Sequence, residues 1–561
     1  MPHLRTLRAT IGILAVVFSF GVAAREPVLP QKAAVASAQP LATAAGHEIL
    51  AQGGNAFDAA VAVSAALGVV KPQSSGFGGG GFWLLHRAAD GYEIMIDGRE
   101  AAPGTAAPEM FLDASGKPDR NASLVGARAA GIPGMPAALG YLNQHFGRLP
   151  LAQCLAPAIR LAREGFPVSS DLARVLGFVA DRLRQDPAGR AIFLVADGPP
   201  SVGTILRQPA LAATLQQLAE HGMEAYYRGP LAKSQVDAVR EAGGIWTEHD
   251  LASYTVKLRA PIVGRYRGVR ISTAAPPSSG GIVLLEALQI LDQFDLQNTD
   301  ATTRRHLISE ALRRAYRDRA EFLGDPDFTT MPLARLLDPA YAARLAQTID
   351  LRHATPSATL PQAGRAKPEG TDTTHYSVLD REGNRVAGTV SINTPFGSGV
   401  VVPATGIVLN NHMDDFATSP LVPNAWGLVG VTANAIAPGK RPLSSMSPTF
   451  VETSDRVGIL GTPGGSRIIS MVLLAVLDFA AGHGPDSWVS VPRFHHQYLP
   501  DRVQVEPGVF QPAELDALRA LGHAVEETRT YGDMHAIEWR KTDGAVTAAS
   551  DPRGEGQALT R

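Results

Sequence analysis

The sequence predicts a layered α+β protein. Helical and strand-like segments are both abundant, they do not alternate as regular βαβ units, and no internal repeat divides the 561 residues. Hydrophobic residues make up 45%, charged residues 19% and aromatics 6%, an ordinary globular balance. A formal net charge of −2, with no basic cluster interleaved with aromatics, argues against nucleic acid or an anionic membrane surface as partner.

The elements follow in order. MPHLRTLRAT carries basic residues, and IGILAVVFSFGVAA supplies an apolar run ending in small residues. That is the layout of a secretory signal peptide, with cleavage expected after Ala24. At about fourteen apolar residues the run falls short of the roughly 20 that span a bilayer, and no later segment reads as a span. The chain is therefore expected to be exported, to the periplasm or beyond.

Residues 40–70 read as two helices, the second opening at GGNAFDAAVAVSAALGVV with Asn55 as cap and Asp58 in the first turn. Strands are expected at 81–86, 92–97, 269–274, 385–392 and 455–460, and further helices at 151–164 and 308–323. The lone cysteine, Cys154, lies in the apolar pattern LAQCLAPAIRLA, which predicts a buried structural thiol.

Residues 352–372, RHATPSATLPQAGRAKPEGTD, have no apolar period. Loops of about 20 residues are uncommon inside compact domains and are usually functional or linkers. HYSVLD, REGN and RVAGTVSI then form a hairpin signal. Were the chain cut just before Thr373, hydroxyl and α-amine would share one residue, and the amine, with a reference pKa of about 7.7–8.0, would activate the hydroxyl. On its own a Thr-Thr pair more often marks a strand. GTPGGSRII (461–469) places Gly464 and Gly465 where two N–H groups can meet an oxyanion, although a plain Pro-Gly turn reads the same way. LNNHMDDF (409–416) reads as a polar loop bonding local backbone.

No cofactor or metal is expected. The glycines at 78–81 lack the Lys-Ser/Thr of a phosphate loop and suit close backbone packing. His495 and His496 are adjacent and lack an HExxH or CxxC context. No G-x-S-x-G elbow is present.

TTHYSVLD, SINTPFGSG, GIVLNNHMDDF, KRPLSSMSPT, GTPGGSRII and PRFHHQYLPD, in this order and spacing, closely resemble the γ-glutamyltranspeptidases, which are N-terminal nucleophile hydrolases. The likeness continues upstream through GNAFDAAVA, SGFGGGGFWLL, DGREAAP, GIPGMPAAL, DLASYTVKLRAPIVGRYRG and PPSSGG, so it runs from about residue 35 to the C-terminus. The resemblance implies a four-layer αββα sandwich, self-cleaved between Asp372 and Thr373 into a large subunit (25–372, after removal of 1–24) and a small one (373–561). Both would stay in one compact body.

By the same resemblance, Thr373 attacks the γ-glutamyl amide of donors such as glutathione, and the acyl group passes to water or to an amino-acid or dipeptide amine. Ser391 orients the nucleophile, and Gly464 and Gly465 form the oxyanion hole. Arg99, Ser444 and Ser445 hold the α-carboxylate, while Asn393 and Asp415 accept from the α-ammonium. Trp426 of VPNAWGLVG is the lid aromatic.

One departure stands out. His412 occupies a position that is usually Gln or Glu, where an ammonium needs an acceptor. Neutral His supplies one through a ring nitrogen and protonated His does not, so His412 also raises the alternative of an acylase for glutaryl or cephalosporin-type amides on the same scaffold. A non-catalytic exported binding protein is the reading from a different class; the intact Thr373, Ser391, Gly464, Gly465 and Arg99 argue against it.

Overall fold

The computed structural model describes residues 27–360, 373–418, 422–425, 427–430 and 432–561. The expected signal peptide, Asp372 and Trp426 lie outside the described residues.

Two antiparallel sheets stack face to face between two helical layers. The elements used below are, in chain order, β1 (Ala34–Ser37), α1 (Pro40–Ala51), α2 (Ala56–Val70), β2 (Gly80–Arg87), β3 (Tyr92–Gly98), α3 (Met135–Phe146), α4 (Leu151–Glu164), β4 (Lys257–Arg259), β5 (Ile262–Tyr266), β6 (Val269–Thr273), α5 (Gly280–Leu291), α6 (Ala301–Phe322), β7 (Thr374–Leu379), β8 (Arg385–Ser391), β9 (Thr449–Glu452), β10 (Arg456–Gly461), α7 (Ile468–Ala480), β11 (His535–Arg540), β12 (Val546–Ser550) and β13 (Gln557–Thr560). The first sheet runs β13-β1-β7-β8-β2-β3-β4 and the second β12-β11-β10-β9-β6-β5.

Period-two alternation sets the layering. On β7, Tyr376 and Val378 join the core formed with α1 to α4, and the Tyr376 hydroxyl lies 2.7 Å from Ser64 Oγ on α2. Leu379 belongs instead to the core shared with the second sheet, and Ser377 Oγ donates to His535 O of β11 at 3.0 Å. Helix α2 is buried all round, as its apolar sequence demands. Its start is a capping box: Asn55 Oδ1 accepts from Phe57 N and Asp58 N, and Asp58 Oδ2 accepts from Asn55 N. Such a cap contributes about 1 kcal/mol.

The expected strands are present within one or two residues. Helix α6 begins seven positions before the predicted 308, because Asp300 caps it through Thr302 N and Thr303 N, ahead of the apolar pattern. The run at 78–81 packs as its composition suggested. A Cβ on Gly79 would come within 2.2 Å of Ser391 O, and one on Gly81 within 2.4 Å of Thr389 O, so only glycine lets β2 lie flush on β8. Cys154 is buried beside Asp58, and burial followed by that carboxylate pushes its thiol far above the usual range.

The described half of the 352–372 segment is bound down. Ala354 N donates to Leu521 O, Thr355 N to Glu310 Oε1, and Ser357 N to Asp501 Oδ2. Among the described residues no helix is long and apolar enough to cross a membrane.

Candidate active site

Register places Thr373 at the open end of the β7–β8 hairpin. Val390 pairs with Thr374, so the residue before Thr374 comes to lie beside Ser391. Thr373 Oγ1 is 3.2 Å from Ser391 Oγ, and Thr373 is only 5% exposed. Ser391 Oγ also accepts from Asn393 N at 2.8 Å. Asn393 takes φ +80°, a left-handed turn that Asn tolerates better than most residues, and its Nδ2 donates to Asn411 O at 3.0 Å. The nucleophile candidate thus rests on a fixed turn.

In front of Thr373 lies a small, partly open cavity, with Asn393, His412, Asp415, Ser444, Ser445 and Gly465 in its wall and Leu428, Leu443, Met446 and Ile468 as its apolar part. Polar groups converging in a concave site are the usual means of orienting a small molecule, and here they make up most of the wall. Gly464 and Gly465 form the turn between β10 and α7 at φ +141° and +57°. That turn presents backbone N–H groups at the start of a helix, where negative charge is favoured. Asp533 N donates to Thr462 Oγ1 and anchors the approach to the turn.

Ser444 and Ser445 are set by the PPSSGG segment. Ser444 N donates to Pro277 O, and Ser279 donates to Ser444 O through both N and Oγ. Among the described residues Ser445 Oγ is buried without a hydrogen-bond partner. Arg99 is completely buried behind the cavity wall. Its Nε donates to Pro442 O, its Nη1 lies 3.4 Å from Glu100 Oε2, and its Nη2 pairs directly with Asp415 Oδ2. Asp415 Oδ1 accepts from Asn424 Nδ2 at 3.2 Å.

The structure thus brings Thr373, Ser391, Asn393, His412, Asp415, Ser444, Ser445, Gly464 and Gly465 into one place, with Arg99 one layer behind Asp415. In the LNNHMDDF loop Asn410 Oδ1 bonds local backbone as read from sequence, accepting from His412 N at 3.0 Å; Asn410 Nδ2 instead donates to Gly78 O and Asn411 Nδ2 to Thr394 Oγ1, while His412 and Asp415 line the cavity. Two carboxylates went unnoticed. Glu100 Oε1 lies 2.9 Å from His412 Nδ1, although its place beside Arg99 in DGRE was a usable signal. Asp414 accepts from Ser123 Oγ at 2.6 Å and from Ala425 N at 2.7 Å. Burial pushes Asp414 up to about 6 against the pull of those two bonds, and Asp415 adds to the rise.

The histidines away from the cavity are structural in their contacts. His495 bonds Ser470 Oγ and Gln497 Oε1, and burial first, then Arg467, lowers it to about 3. His306, Glu310 and His523 converge, but His306 Nδ1 and His523 Nε2 bond each other at 2.8 Å and Glu310 is held by Arg313 and Arg314.

The sequence profile of γ-glutamyltranspeptidases matches residues 42–560. The chain belongs to the γ-glutamyltranspeptidase family. It is 43% identical over 535 residues to the glutathione hydrolase proenzyme of Escherichia coli (strain K12), covering 94% of this chain and 91% of that one. Among solved structures, the cephalosporin acylase from Bacillus halodurans superposes with a TM-score of 0.82 at 30% identity, covering 98% of this chain and 99% of the other. The Helicobacter pylori γ-glutamyltranspeptidase gives 0.56 at 38% identity, over 58% of this chain and 93% of that one. The four-layer αββα sandwich is the architecture of the N-terminal nucleophile hydrolases.

Proposed function

We propose that this γ-glutamyltranspeptidase is exported, cuts itself between Asp372 and Thr373, and then transfers or hydrolyses γ-glutamyl groups. The observation that carries the reading is Thr373 Oγ1 beside Ser391 Oγ at the edge of a cavity that also holds Gly465 and a polar cluster. In the cut, Thr373 Oγ adds to the Asp372 carbonyl and the peptide shifts to an ester. Water then releases the Asp372 carboxylate and a free Thr373 amine. The large subunit is 25–372 and the small one 373–561.

In turnover the α-amine of Thr373 takes the Oγ proton as Oγ adds to the γ-carbonyl. The Gly464 and Gly465 N–H groups stabilise the oxyanion, the worth of one such donor being about 10²–10³ in rate. The leaving amine departs with the proton, and water or an amino-acid amine takes the acyl group. Ser444, Ser445 and Arg99 serve the donor α-carboxylate, and Asn393, His412 and Asp415 its α-ammonium. Trp426 closes the site as a lid. Glutathione is the proposed donor, in keeping with the glutathione hydrolase named among its relatives.

A denaturing gel tests the reading. Two fragments are expected, the smaller beginning Thr-Thr-His-Tyr, with a single inactive chain for Thr373→Ala. An uncut wild-type chain overturns it. The second reading, an acylase, draws on His412 and on the likeness to a cephalosporin acylase. A γ-glutamyl anilide compared with its glutaryl analogue decides between them.

A further inference from the structure

His412 and Glu100 are the least expected neighbours in the cavity wall. His412 is 2% exposed and Glu100 is fully buried, and their Nδ1 and Oε1 atoms are 2.9 Å apart. The angle is poor for a hydrogen bond, yet among the described residues neither atom has any other partner. A buried carboxylate oxygen and a buried ring nitrogen left at this distance call for an explanation. Glu100 is confined there: a Cβ on Gly80 would meet its carboxyl carbon at 2.9 Å, and one on Gly131 its own Cβ at 3.0 Å. Its second oxygen faces Arg99 Nη1 at 3.4 Å, so the carboxylate sits between a guanidinium and an imidazole.

An ionised carboxylate only accepts, so the ring nitrogen facing it must carry the hydrogen. The other nitrogen of a neutral ring then carries the lone pair. His412 lines the cavity, and among the described residues Nε2 has no hydrogen-bond partner. We propose that Glu100 is a positioning residue that fixes donor specificity: it holds the His412 proton on Nδ1, leaving Nε2 as an acceptor for the donor's α-ammonium. This rests on the γ-glutamyl reading above. His412 then does the work of an amide oxygen, provided its ring is held in one tautomer from behind.

Two measurements test it. In the full chain labelled with ¹⁵N-histidine, with His412→Gln identifying the resonances, the free enzyme is expected to show a protonated Nδ1 and an unprotonated Nε2. The opposite tautomer overturns the proposal. Glu100→Gln keeps the shape but can donate as well as accept, so the tautomer is no longer fixed. Its KM for a γ-glutamyl anilide is expected to rise about tenfold, the worth of one charge-assisted bond, while kcat changes less than about threefold. The KM for the glutaryl anilide, which keeps the carboxylate and lacks only the amine, is expected to stay unchanged. Equal losses on both substrates would mean that Glu100 merely balances Arg99, and would sink the idea. In a His412→Gln background Glu100→Gln is expected to add nothing, and an undiminished tenfold effect there also refutes the coupling. If the unaltered protein fails to turn over any γ-glutamyl substrate, the functional reading falls, and the tautomer measurement still decides the Glu100–His412 pairing.

Discussion

Arg99 and Asp415, 316 positions apart in sequence, form a direct ion pair behind the cavity wall. Both belong to the proposed donor site, one serving the carboxylate and the other the ammonium, so the two halves of that site are mechanically joined. Arg99 uses its fork on three protein acceptors at once, which a lysine cannot reproduce. Arg99→Lys is expected to raise donor KM by more than about tenfold and to lower Tm, because one ammonium cannot reach all three acceptors and a buried acceptor left unsatisfied costs about 1–3 kcal/mol. Calorimetry beside steady-state kinetics checks both, and an unchanged Tm would show that the pair has no structural share.

Ser391 links Thr373 to the Asn393 turn through a single hydroxyl. Ser391→Ala is expected to slow both self-cleavage and turnover, by about tenfold each, while Ser391→Thr retains them. The rate of fragment appearance on a gel and kcat on an anilide substrate give the two values. A loss in one alone would separate the roles.

Gly465 lies at φ +57°, where a side chain costs about 1–2 kcal/mol of backbone strain. Gly465→Ala is expected to displace the N–H groups of the turn and cut kcat about a hundredfold, with KM little changed. A KM effect without a kcat effect would place this turn in binding and not in stabilisation of the oxyanion.

Glu310 supplies a pH dependence far from the cavity. Its burial opposes ionisation, but Arg313, Thr355 N and Arg314 outweigh it and hold the carboxyl down at about 2, against 4.5 ordinarily. The folded state therefore binds the proton more weakly than the unfolded chain. The stabilisation is complete above about pH 4.5 and is lost as pH falls through 2, on the order of 3 kcal/mol in all. Glu310→Gln is expected to lower Tm at neutral pH and to flatten its fall across that window. A variant with an unchanged slope would assign the acid sensitivity elsewhere.

The layers were readable because they depend on local pattern. The alternation of Tyr376 and Val378 against Ser377 and Leu379, and the Asn55–Asp58 cap, are written within a few residues of each other. The candidate site was readable where short motifs place it: Thr373 just before β7, the double glycine before α7, and the paired serines. What stayed hidden was contact between distant segments. Nothing in DGRE or MDDF says that Arg99 meets Asp415, or that Glu100 lies behind His412. The pairing of His306 with His523, and the docking of Thr355 and Ser357 on α6 and on Asp501, likewise arise only once α6 is packed. The seven-residue error at the start of α6 has a different cause: polar capping residues carry no apolar period.

The order of the first sheet, β13-β1-β7-β8-β2-β3-β4, has a consequence for a molecule cut as proposed. A cut before Thr373 leaves β1 and β2 on one polypeptide, with β7 and β8 clasped between them on the other, and β13 of that second polypeptide on the far side of β1. The two products are interleaved and not merely abutting. Neither can leave by simple undocking, since departure would break backbone ladders on both sides of β1 and along β2. Separation therefore requires unfolding, so chain separation and melting are one event, and the melting temperature of the cut molecule falls on dilution.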